Sequence, residues 1–122
     1  MLSNKKIVVS IALALSLGLS ACGSNNAIKT GSEDMIKTIK DLKSQVADND
    51  TSKAKKSGEA LENSWKKFED SVKDKDADLY EKVETPLHTI EAGVKVSPLD
   101  ADTLNQAADE LKDVLNDVKG LK

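Results

Sequence analysis

Apolar residues recur every three or four positions from residue 35 to residue 118, and this period constrains the fold more than any other feature of the chain. Such spacing places side chains on one face of an α-helix, whereas a half-buried strand needs strict alternation over several residues. No stretch of the chain alternates for long enough to predict a strand. The pattern therefore predicts an all-α protein.

The part of the sequence with this apolar pattern consists of four amphipathic segments separated by short polar turns. Their expected apolar faces are Met35, Ile39, Leu42 and Val46; then Ala54, Gly58, Leu61, Trp65, Phe68 and Val72; then Tyr80, Val83, Leu87, Ile90 and Val94; and last Leu104, Ala108, Leu111, Leu115 and Val118. Helices of this length with short connections favour a small antiparallel up-down four-helix bundle over residues 32–122. A three-helix bundle with the first or last helix loosely attached is the alternative.

Capping residues predict where these helices begin. Ser32 is a good N-cap for the first helix, and the second is expected to run unbroken over residues 51–72. Asp78 with Glu81 three residues on is typical of a capping box, here in acidic form, at the start of the third. Ser97 or Asp100 is expected to cap the last helix, and Gly120 to end it.

Pro86 falls inside the third segment. A proline either kinks a helix or marks a restart, and Thr85 could cap such a restart. The kink is favoured, because the apolar spacing keeps its phase across the proline.

The N-terminus resembles the signal of bacterial lipoproteins. Lys5 and Lys6 precede the short apolar run Ile7–Leu19, which is followed by Ser20, Ala21 and Cys22. The run is shorter than the roughly 20 apolar residues that span a membrane, so the order is that of a cleaved signal peptide. The resemblance implies cleavage before Cys22 and attachment of diacylglycerol and acyl chains, such as palmitate, to its thiol.

This interpretation predicts three regions: a signal peptide over residues 1–21, a lipidated flexible tether over residues 22–31, and the helical domain over residues 32–122. The mature protein is then expected on the extracytoplasmic face of the cell membrane. That place is the outer leaflet of the cytoplasmic membrane in a single-membrane cell, or the outer membrane if there are two. Acyl chains on Cys22 would anchor the protein without spanning the bilayer.

Charge and composition argue against two functional classes. The net charge of the chain is −3, there is no arginine, and only one Trp, one Tyr and one Phe occur, so nucleic acid is not an expected partner. The single histidine, the absence of a glycine-rich phosphate loop and the commitment of the only cysteine to lipid argue against catalysis. A non-catalytic protein is expected.

Glutamates and the only histidine gather beside the apolar faces of the second and third helices. The set consists of Glu62, Glu69, Glu81, Glu84, His88 and Glu91. Carboxylates and imidazole along a helix seam are ligands for iron or manganese, and imidazole also suits zinc and copper. The other interpretation is that these residues only solvate the rim of the bundle while the aromatic residues fill its core.

The stretch around this set resembles the helical modules of bacterial iron uptake, namely imelysin-like lipoproteins and the extracytoplasmic helical segment of the iron permeases that work with them. The shared features are Trp65 with Glu69, Tyr80 with Glu84, and a His-x-x-Glu spacing that His88 and Glu91 fit. The resemblance implies capture of iron for a membrane permease. The alternative is an envelope lipoprotein that docks a protein partner and binds no small ligand.

Overall fold

The computed structural model describes the backbone of residues 16–122 and the side chains from Asn25 onward. This part of the chain forms five α-helices and no strand, which confirms the all-α prediction. The helices are α1 (Ser16–Ala47), α2 (Thr51–Lys66), α3 (Glu69–Lys75), α4 (Ala77–Gly93) and α5 (Ala101–Lys119). Residues 1–15 of the predicted signal peptide lie outside the described range.

The helices form a bundle around one apolar core. α1 packs against α2 and α5, and α4 packs against α5, α3 and α2. Every residue of the four predicted apolar faces is buried in this core except Tyr80, which is half-buried. The helical period therefore predicted the core correctly, since each stripe faces its neighbours across the bundle.

The first helix begins well before Ser32, so the predicted N-cap there is wrong. Ser32 lies inside α1, where its hydroxyl donates a hydrogen bond to the Ile28 carbonyl oxygen at 2.7 Å. Ile28 itself is completely buried. Because Ile28 stands seven residues before Met35, it extends the same apolar face by two turns. Residues 22–31, expected as a flexible tether, are helical.

The second predicted helix is broken into α2 and α3, so the expectation of one unbroken helix is wrong. The break falls at Lys67 and Phe68, and Phe68 has a non-helical φ of −138°. Its ring is buried against α1, where a Cβ on Gly31 would overlap it. The missing side chain at Gly31 therefore gives the Phe68 ring its place in the core.

α4 begins at a different cap from the predicted one and continues through its proline. Asp76, not Asp78, is the N-cap, and its carboxylate accepts a hydrogen bond from the Leu79 N–H at 3.1 Å. No restart occurs at Thr85, because the helix runs unbroken across Pro86 to Gly93. Asp76 already caps the helix about two and a half turns before Thr85.

The loops at one end of the bundle are joined by a side chain. Asn49 adopts a φ of 51°, in the left-handed region that asparagine tolerates, and turns the chain from α1 into α2. Its side-chain oxygen accepts a hydrogen bond from the Leu99 N–H at 3.3 Å. Asp100 then caps α5 by accepting from the Thr103 N–H, as one of the two predicted caps. Gly120 follows the last residue of α5 with a right-handed φ of −85°.

Within the described range, none of the helices combines the length and the apolar character needed to cross a membrane.

The burial of Ile28 gives a direct test of the helical start. Ile28→Ala should lower the free energy of unfolding by about 2–4 kcal/mol, because it leaves a cavity in the core. Lys29→Ala, on the neighbouring exposed residue, should change it by no more than about 0.5 kcal/mol. Urea unfolding of residues 22–122, with Cys22→Ser to prevent lipidation, measures both. Equal small effects would show that this segment is a tether after all.

Candidate functional site

Five of the six predicted site residues lie along one interface of the bundle. Glu62 on α2 and Glu69 on α3 face Glu84, His88 and Glu91 on α4. Their charges are close enough to influence one another, so the residues that lie beside the two apolar faces meet across this interface. We refer to these five residues as the acidic seam.

Glu81 does not belong to the acidic seam. Its side chain is exposed and lines a groove between α4 and α5. At about 100° per residue, Glu84 and Glu91 lie within about 20° of each other on α4, while Glu81 lies about 60–80° round the helix. This rotation decides which carboxyls are half-buried against α2. It also leaves His88, which lies between the two directions, with 63% of its side chain exposed.

Glu84 is the centre of a hydrogen-bond network. The Trp65 indole N–H donates to Glu84 Oε1 at 2.9 Å, and His88 Nε2 lies 2.9 Å from Glu84 Oε2. Both carboxylate oxygens therefore have partners, although only 15% of the side chain is exposed. The bond to Trp65 was not predicted from the sequence. The signal for it was that a buried indole N–H needs an acceptor.

The aromatic residues around Glu84 hold this network in place. Trp65 stacks on Tyr80, with ring centroids 5.8 Å apart, and meets Phe68 edge to face at 5.2 Å. The neighbouring Glu84 carboxylate is the main cause that raises the pKa of the Tyr80 hydroxyl. Lys73 lies over the outer face of the Tyr80 ring, 5.1 Å from its centroid. The aromatic residues thus fill the core next to the seam, as one of the two interpretations held.

The other end of the acidic seam opens into a cleft between α2 and α4 of about 380 Å³. Glu62 and Glu91 lie together in it, and Lys55 and Lys95 stand at its edge. Gly58 narrows the distance between the helices there, because it leaves room for the Val94 side chain. Glu91 Oε1 is buried and has no hydrogen-bond partner, which is unusual for a carboxyl oxygen. We refer to this space as the α2–α4 cleft.

Glu62 and Glu91 shift each other's pKa in opposite directions. Burial is the main cause that raises the pKa of Glu91 to about 7, and the neighbouring Glu62 carboxyl adds to it. Glu91 in turn is the main cause that lowers the pKa of Glu62, which also lies 3.4 Å from the Lys66 ammonium. Further along the seam, burial raises the pKa of Glu69, helped by the charge of Glu84.

The described residues contain no group of three or more His, Cys, Asp or Glu side chains arranged to hold a metal ion. The candidate metal ligands of the seam lie instead in two pairs, Glu62 with Glu91 and Glu84 with His88. The two pairs differ chemically, since Glu84 has partners on both oxygens and Glu91 has an oxygen without one.

Comparison with known proteins gave no match to the chain among protein-family models, curated proteins or solved structures. The resemblance to imelysin-like proteins stays a prediction from the sequence.

The Glu62–Glu91 pair should make stability depend on pH. Glu91 has a pKa of about 7 in the folded protein against an ordinary value of 4.5, so between these pH values the folded state holds the extra proton. The free energy of unfolding should therefore fall as pH rises from 4.5 to 7. Because the cleft is open to water, we expect a loss of about 1–2 kcal/mol, less than the full shift implies.

Glu91→Gln should remove this slope, since the amide stays neutral and can still donate to Glu62. Urea unfolding of the lipid-free residues 22–122 at pH 5, 6, 7 and 8 measures the effect. Glu110→Gln, the same change on an exposed carboxylate of α5, is the matched control and should keep the slope. An unchanged slope in Glu91→Gln would rule out the raised pKa of Glu91.

Proposed function

We propose that the chain is a membrane-anchored extracytoplasmic lipoprotein with a non-catalytic role, and that it captures a metal cation for a membrane transport partner. The signal peptide over residues 1–21 directs export, and lipid on Cys22 anchors the mature protein. The acidic seam binds the cation. Iron is the favoured metal, because the resemblance to iron-uptake modules implies it and because carboxylates with imidazole are ligands that iron accepts.

The observation that carries this proposal is the unpartnered oxygen of Glu91 beside Glu62. Two carboxyls lie together in the cleft there, and one buried oxygen of Glu91 has no hydrogen-bond donor. A cation bound between them would satisfy both carboxylates at once. The chemistry of this donor set therefore fits a hard or borderline cation such as Fe²⁺ or Mn²⁺.

Weak, exchangeable binding fits a protein that passes its cargo on. Two carboxylates leave most of the coordination shell of the metal to water. His88, at the exposed edge of the seam, can coordinate an ion that enters the cleft. A closed site with four protein ligands would hold the metal for structure, whereas an open site releases it. The α2–α4 cleft is such an open site.

The arrangement of the anchor supports a partner in the same membrane. With cleavage before Cys22, α1 would begin at the lipidated residue, and Ile28, the first buried residue of the described side chains, would follow only about 9 Å further along the helix. The bundle would then stand directly on the membrane surface. Confinement of the bundle to the membrane surface raises its effective concentration toward a partner protein in the same membrane.

The finer architecture belongs to the same proposal. We infer that α2 and α3 are one arm broken at Phe68, so that four arms make an antiparallel up-down bundle. The order of packing supports this, because α1 contacts α2 and α5 while α4 contacts α5, α3 and α2. Each of the four arms therefore packs against two others, and together they form a closed ring.

A different observation favours the alternative function, an envelope lipoprotein that docks a protein and binds no small ligand. Glu84 pairs with His88 and accepts a hydrogen bond from Trp65. The Glu84 and His88 side chains therefore already have a structural role. Metal titration distinguishes the two functions.

The full-length protein, purified in neutral detergent, should bind Mn²⁺ or anaerobic Fe²⁺ near one equivalent in isothermal titration calorimetry at pH 7.5. Glu91→Gln should weaken binding by about tenfold or more, because it removes one carboxylate of the pair. His88→Ala should weaken it less. Binding should also weaken at pH 6, where protons compete for the same oxygens.

Glu110→Gln is the control for the titration and should bind like the unchanged protein. Equal affinity in Glu91→Gln and Glu110→Gln would contradict a site at the cleft. No binding at all would favour the protein-docking alternative.

The anchor is tested by Cys22→Ser in the full-length chain. In cells fed a labelled fatty acid, the unchanged protein should carry the label and sediment with membranes, while Cys22→Ser should lose both properties. Gly23→Ser, a small change one residue further on, should keep them. Membrane binding of unlabelled Cys22→Ser would contradict the lipoprotein proposal without affecting the metal site.

A further inference from the structure

A second surface of α4 forms a groove with α5 on a different side from the acidic seam. Two adjoining hollows of about 490 and 220 Å³ share Glu110 and follow the interface from Glu81 and Val114 at one end to Thr89 and Thr103 at the other. The α4 side covers residues 81–89, about 12 Å of helix. We refer to it as the α4–α5 groove.

The charges of the α4–α5 groove have mostly one sign. Its rim carries three carboxylates, on Glu81, Glu110 and Asp113, against the single ammonium of Lys82. All four side chains belong to exposed residues. The groove therefore presents a negative surface that attracts cations.

Its floor is apolar. Pro86 and Val114 line the groove between the charged rims. Pro86 is buried and Val114 is half-buried, so a partner could cover only part of this apolar area. The groove thus combines negative charge with an apolar strip.

We propose that the α4–α5 groove docks a basic amphipathic segment of a protein partner. Lysine or arginine side chains of that segment lie over Glu81, Glu110 and Asp113, and its apolar side covers Pro86 and Val114. Charge complementarity specifies this occupant. A small cation would leave the apolar floor uncovered. A second copy of the chain, which carries the exposed lysines Lys53, Lys55 and Lys56 on α2, is the other outcome that the test distinguishes by self-association.

The rest of the described surface agrees with docking through charge. Among residues 25–122, Val96 is the one large hydrophobic side chain that is exposed, and it lies in the loop before α5. A partner held mainly by apolar contact would need a wider patch. Docking in the groove should therefore weaken strongly with salt.

The test uses the full-length ¹⁵N-labelled protein in neutral detergent and a helical peptide of alanine and lysine, with a glutamate-for-lysine peptide as the negative probe. Amide shift changes should be confined to residues 81–89 and 103–114. Glu110→Lys with Asp113→Lys should weaken binding by about tenfold or more. Asp34→Lys with Asp41→Lys, the same charge change on exposed positions of α1, should leave the affinity and the affected residues unchanged.

Equal weakening by the two double variants, or shift changes spread over α1 and α2, would overturn the groove as a specific site. Self-association that is lost in Glu110→Lys with Asp113→Lys would overturn it in favour of a second copy. Thermal unfolding by circular dichroism confirms that each variant is folded. Since the groove shares no residue with the acidic seam, failure here would leave the metal proposal standing, and the reverse also holds.

Discussion

The packing of Trp65 is the interaction on which the rest of the structure depends. The ring is buried where α2, α3 and α4 meet, stacks on Tyr80 and contacts Phe68 edge to face. Its indole N–H must find an acceptor there, and Glu84 provides it at 2.9 Å. The buried stripe Val83, Leu87 and Ile90 sets the rotation of α4 about its axis, and the bond from Trp65 to Glu84 fits that rotation. The rotation then determines which side chains of α4 face α2.

The rotation gives the bundle two chemically different surfaces on one helix. Facing α2, Glu84 has partners on both oxygens, whereas Glu91 is held beside Glu62 with one oxygen that has none. Facing α5, Glu81 stays exposed on the rim of a groove. Carboxyls that share one helix thus differ in burial and in their partners, and these differences set what each can bind.

The acidic seam also places two carboxyls, those of Glu62 and Glu91, side by side in a small domain. Burying two carboxylates together is unfavourable, and the pair lessens the penalty by retaining a proton. One oxygen of Glu91 nevertheless has no hydrogen-bond partner. The proposal of cation capture rests on this argument, and the groove on α5 rests on a separate one.

The sequence by itself determined the all-α class and the core, because the spacing of residues such as Leu42, Leu61 and Leu111 depends only on the local helical period. It also placed Glu62 and Glu91 beside the apolar faces of two different helices, and in the structure both residues line one cleft. Helix ends and side-chain partners needed the tertiary structure. The early start of α1 and the break at Phe68 against Gly31 depend on contacts between helices that are distant in the chain. Capping and periodic patterns record local preference, and burial against a neighbouring helix is strong enough to override it.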